Sequence, residues 1–124
     1  AEPCGLLDLA AVDGWLATSG VSASTDTSLG LVGCRWATAP TDVPALLLGY
    51  DGQLAFEEVR DRACDGETPT PVPAAGPEAV ECFGAVIAPA STGVVIASVE
   101  DMTGTFDEAA QLDIAATAAA DAVS

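Results

Sequence analysis

The stretch 31–38, LVGCRWAT, reads as a β-strand that carries a cysteine and a tryptophan, and Pro40 ends it. In a strand, side chains alternate between faces, so Cys34 and Trp36 point one way and Arg35 the other. A tryptophan beside a cysteine on one face suits a core position packed against a disulfide. Arg35 has two readings. Its planar fork suits a bidentate carboxylate partner within the chain, and it is also a candidate anchor for an anionic ligand.

Working outward, 44–50 is a second apolar run, a buried strand that ends at Tyr50. The phenol there suits a wet rim and is the other candidate ligand contact, beside Arg35. Upstream, 21–28 is rich in Ser and Thr and reads as a loop or an exposed strand. Before it, Asp8 is placed to cap a helix whose Leu9, Val12 and Leu16 recur at helical spacing beside Trp15, with Gly20 as the stop. Downstream, Asp51-Gly52 is a turn or cap. Phe56, Val59 and Ala63 share one face of a middle helix over 53–64, Glu58 and Arg62 pair along it, and Asp65-Gly66 stops it. Segment 68–77 holds Pro69, Pro71, Pro73 and Pro77 and reads as an extended connection. Stretches 79–88 and 93–100, rich in Val and Ile, read as one hairpin turning at 89–93. Thr105 and Glu108 have capping-box spacing for a last helix, with Leu112, Ala116, Ala119 and Val123 as its apolar stripe. The order implies one α+β domain over 1–124: a mainly antiparallel sheet packed by an N-terminal, a middle and a C-terminal helix.

The 124 residues include 19 acidic and three basic side chains, with no histidine and a formal net charge of −16. The basic residues are Arg35, Arg60 and Arg62, so lysine is absent too. Without His there is no Ser-His or Cys-His nucleophile pair and no imidazole zinc ligand. Without Lys there is no Schiff base and no Walker-type phosphate loop. The charge excludes nucleic acid as a partner, because affinity for phosphate backbones comes from Lys and Arg. It also opposes docking on an anionic membrane, and no run is long enough to span a bilayer. Asp65-Gly66-Glu67 and Glu100-Asp101 are only short acidic pairs beside the clustered oxygens that calcium wants. No catalytic set, metal site or cofactor is assigned. Two carboxylates meeting across a cleft remain the one route to a hydrolase.

Cys4, Cys34, Cys64 and Cys82 form an even set without a C-x-x-C pair, which disfavours a zinc ribbon or a thioredoxin-like motif. In a chain this small they read as two disulfides made in an oxidising compartment. Three pairings exist. Cys4–Cys34 with Cys64–Cys82 is favoured because it closes two separate loops. The residues before Cys4, Ala1-Glu2-Pro3, lack the small apolar character of a lipobox, so Cys4 reads as a disulfide partner. An export signal is expected to have been removed.

Pro3-Cys4-Gly5-Leu6-Leu7 before a short helix, then Gly33-Cys34-Arg35-Trp36, resembles the P-C-x-L-L … G-C-x-W framework of an uncharacterised family of actinobacterial exported lipoproteins. The helix after Asp51, the Pro-rich segment and the Ala-rich C-terminal helix are similar to that family's layout. Glu81-Cys82-Phe83-Gly84 loosely meets its glycine-containing motif. The extracellular sensor domains of actinobacterial Ser/Thr kinases are similar as well. The resemblance implies an antiparallel sheet with helices packed on it, a place outside the cytoplasmic membrane, and a lipid tether on a cysteine upstream of Ala1. The leading functional expectation is a non-enzymatic domain binding an unidentified envelope ligand or protein. A kinase sensor module and a carboxylate-dependent cell-wall hydrolase are the alternatives.

Overall fold

A computed structural model describes residues 3–123. Seven strands form one sheet: β1 (Ser22–Asp26), β2 (Gly33–Ala37), β3 (Ala45–Asp51), β4 (Thr70–Pro71), β5 (Val80–Cys82), β6 (Ala85–Pro89) and β7 (Val94–Glu100). Their spatial order is β1-β2-β3-β7-β6-β5-β4, and every neighbouring pair is antiparallel. The sheet is therefore two meanders, β1 to β3 and β4 to β7, joined along β3 and β7. Three helices complete the α+β fold: α1 (Leu9–Leu16), α2 (Phe56–Cys64) and α3 (Glu108–Val123).

Side-chain alternation explains the layers. Cys34 and Trp36 on β2, Leu46 and Leu48 on β3, Val95, Ala97 and Val99 on β7, and Val86 and Ala88 on β6 all face one side. There they form the main core with α1 and α3. The opposite parity, Ile87, Val94 and Ile96, packs with Leu31 and Val59 of α2 in a second cluster on the reverse face. Trp36 is fully buried, and its indole Nε1 has no hydrogen-bond partner. Packing alone therefore holds the ring. Gly33 is needed where it stands, because a Cβ there would strike the Leu48 carbonyl of the neighbouring strand.

The alanines of α3 allow close approach. Ile114, Ala115, Ala116, Ala118 and Ala119 are buried against β7, β6 and β3. The expected stripe was narrower and partly misplaced: Leu112 and Val123 are only half-buried, because the helix lies flat on the sheet and buries a broad band. The cap is also corrected. Asp107, not Thr105, accepts from the Ala110 amide at 2.8 Å, while Thr105 bonds Thr103. On α1 the Asp8 cap is present, accepting from Ala11 N at 3.2 Å. The helix stops at Leu16 with Ala17 at φ 55°, short of Gly20. Asp13 causes the early stop: its carboxylate takes the Thr18 hydroxyl and the Gly20 and Val21 amides and folds the chain back.

Two further expectations change. Segment 79–88 is not one strand but β5 and β6, reversed at Phe83-Gly84. The Pro-rich connection contains β4 and a 3-10 turn at Pro73–Ala75. Segment 21–28 supplies the exposed edge strand β1.

Both disulfides form as favoured. Cys4–Cys34 pins the N-terminal 3-10 turn to β2, and Cys64–Cys82 ties the end of α2 to β5. All four thiols are thereby used. Non-reducing peptide mapping should recover these two links and no free thiol. Replacing Cys64 and Cys82 together by Ala should lower the unfolding free energy measured in urea by about 3 kcal/mol, from the loop entropy returned to the denatured chain.

Candidate functional site

The two candidate contacts read from the sequence are engaged inside the protein. Arg35 is 8% exposed. Its Nη1 pairs with Glu100 Oε1 at 3.0 Å, its Nε donates to the Pro40 carbonyl at 2.9 Å, and its Nη2 donates to the Asp42 carbonyl at 2.7 Å. These bonds fasten the β2–β3 loop over the reverse face of the sheet; Arg35 has the expected intrachain carboxylate partner, but through one bond rather than a bidentate pair, its other donors going to the two carbonyls. Tyr50 is half-buried, and its hydroxyl donates to the Thr92 carbonyl at 3.1 Å, bracing the β6–β7 turn. Arg62 pairs with Glu58 as expected, at 2.9 Å. Arg60 reaches Asp61 at 3.0 Å, and its guanidinium lies 5.7 Å from the centre of the Phe56 ring. Each of the three cations thus has an internal partner.

The carboxylates work mostly as local clamps. Asp13 is held below the usual carboxylate range chiefly by the Val21 amide, with help from Gly20 and Thr18. Asp51 is lowered by the Gln53 and Leu54 amides, and Asp101 chiefly by the Phe106 amide. Asp26 is lowered by the hydroxyl and then the amide of Ser28. Hydrogen bonds to the charged form favour ionisation. Among the described residues no three His, Cys, Asp or Glu side chains gather as a metal-binding group.

The β5–β6 turn carries an exposed aromatic in strained backbone geometry. Among the described residues three that are not glycine have positive φ: Ala17, Asp65 and Phe83. Ala17 and Asp65 each end a helix, where a left-handed residue is common. Phe83 at φ 53° and Gly84 at φ 81° make a two-residue hairpin loop of the primed type, which favours Asn-Gly. A phenylalanine in left-handed geometry costs roughly 1 kcal/mol, and burial recovers little of it, because Phe83 is 72% exposed. The turn is firmly held. Glu81 Oε2 accepts from the Gly84 amide at 2.8 Å, and the adjacent Cys82 is bonded to Cys64.

Phe83 stands between two grooves. The larger, about 420 Å³, is lined by Glu81, Phe83, Gly84, Glu108, Gln111 and Leu112. The smaller, about 240 Å³, lies on the side of Glu67, Thr68 and Thr70 and shares Glu81 and Phe83. Sequence reading noticed Glu81-Cys82-Phe83-Gly84 only as a loose motif. The available signal was an aromatic directly before a glycine inside a Val/Ile-rich run, which marks a tight turn with an exposed side chain.

The lowered Asp values set an acid limit. A carboxyl whose folded pKa is depressed stabilises the fold above its unfolded value, about 3.9, and loses that contribution as pH falls through the folded value. Asp13→Asn should therefore melt below the parent protein at pH 6, and the gap should close well below pH 4. Comparing the two at each pH cancels the relief of the overall negative charge, and a gap that persisted at pH 2 would break the assignment to Asp13.

Compared with family models, curated proteins and solved structures, the chain matches none of them.

Proposed function

We propose that this chain is a non-enzymatic, extracytoplasmic envelope domain that holds a ligand or protein partner at the Phe83 turn. The observation that carries the reading is a strained, exposed aromatic where Asn would fit at lower energy. Backbone strain that the fold does not need is retained where it serves a contact. Two disulfides support an oxidising compartment. No helix among the described residues is long and apolar enough to cross a membrane. Attachment by a lipid upstream of Ala1 rests on the resemblance to actinobacterial exported lipoproteins. The kinase-sensor alternative differs from it in what precedes Ala1: a lipobox cysteine and linker, or a transmembrane helix after a kinase domain.

The test is Phe83→Asn. This variant should be more stable than the parent by roughly 0.5–1 kcal/mol, because Asn accepts left-handed geometry readily. It should also fail to retain the envelope component that the immobilised parent retains. Equal retention by both proteins would sink the reading, since the variant keeps the fold.

One observation favours a second reading strongly enough to test. Glu81 and Glu108 line the same groove, as the acids of a carboxylate hydrolase must. The non-enzymatic assignment expects no release of reducing ends from purified peptidoglycan. Release that Glu108→Gln abolished would replace it.

A further inference from the structure

We infer that the occupant of the Phe83 turn is a basic protein segment, an extended run bearing Lys or Arg side chains laid across the ring. This rests on the Phe83 turn being the contact site and adds the chemistry of what it takes. Each groove offers an apolar surface beside carboxylates: Phe83 and Leu112 with Glu81 and Glu108 in the larger, Phe83 with Glu67 and Glu81 in the smaller. That combination suits a long cationic side chain, whose methylene stem lies on apolar surface while its head stays at a polar rim. The face of the exposed ring attracts the cation as well.

Charge complementarity gives the sign. All three cations of the chain are committed elsewhere, Arg35 to Glu100, Arg60 to Asp61 and Arg62 to Glu58. Among the described residues no Arg side chain pairs with Glu67, Glu81 or Glu108, so the groove rims are left open to a cation from outside. The amino end of α3 does not make the larger groove an anion site, because Asp107 caps it and Glu108 sits in its first turn. The net charge of −16 draws cations toward the whole surface. The grooves supply the place where that attraction meets apolar contact. Two grooves flanking one ring suit a chain crossing the turn, whereas a single small amine fills one of them.

The test titrates the full chain with a blocked peptide alternating Lys and Ala, with its Glu-for-Lys counterpart and with spermidine, following amide shifts and heats of binding. The Lys peptide should bind with shifts centred on residues 81–84 and 108–112, and the Glu peptide should not bind. Phe83→Ala and Phe83→Asn should each weaken binding about five- to thirtyfold, and Glu108→Gln about two- to fivefold. Glu57→Gln removes the same charge from an exposed site on α2 and should leave affinity unchanged. Four results would overturn the inference. If Glu57→Gln matches Glu108→Gln, or Phe83→Ala has no effect, net charge alone drives binding. If spermidine binds as tightly and with the same dependence on Phe83, the occupant is a small polyamine. If the peptide fails to bind while Phe83-dependent retention of an envelope component persists, the contact site stands and its ligand has different chemistry.

Discussion

The pairing of β3 with β7 is the constraint on which the other elements depend. Seven residue pairs, from Ala45↔Glu100 to Asp51↔Val94, join the last strand of one meander to the last strand of the other. Neither meander alone buries both of its faces. Joined, they present a continuous apolar surface for α3 on one side and a shorter one for α2 on the other. The two strands lie forty-odd positions apart in sequence, so closing the loop between them costs chain entropy that only the combined core recovers.

The connection between them explains the disulfides and the turn. After β3 the chain crosses the reverse face as α2, reaches the far edge at β4 and returns through β5 and β6. That far edge is the thinnest part of the sheet, with β4 and β5 contributing only two and three residues. Short strands bury little area, and Cys64–Cys82 fastens this region where packing is least. The same bond stiffens the base of the Phe83 turn, which lets an aromatic be held outward in left-handed geometry. Cys4–Cys34 acts similarly at the other end, holding the chain start against β2. Arg35 completes that half by fastening the β2–β3 loop across the reverse face.

Much of this was legible locally. The Cys34/Trp36 parity, the apolar run of β3, the Asp8 cap and the Glu58–Arg62 pair follow from periods of two and of three to four residues, which neighbours alone determine. What was misread has several causes. Gly20 looked like the end of α1, but Asp13 reaches seven and eight residues ahead to seize Gly20 and Val21. Thr105 had the spacing of a cap, but the helix begins at Glu108, so Asp107 directly precedes it and takes the amide. Segment 79–88 looked like one strand because Phe83 is apolar, and a hydrophobic residue at a turn hides the reversal. The candidate site was obscured for the same reason: Phe83 reads as core until its backbone geometry is known.

The order of residues alone pointed to an α+β arrangement and to two disulfides in separate loops, and it gives a chain of net charge −16 without histidine or lysine. Those are properties of composition and short-range spacing. Only the tertiary structure decided that β3 meets β7, that Arg35 is consumed by Glu100 and two carbonyls, and that Glu81, Phe83, Glu108 and Leu112 share a groove. Each of these includes a contact between segments distant in sequence. Such contacts are selected by the total area the folded chain buries, and no local pattern carries that information.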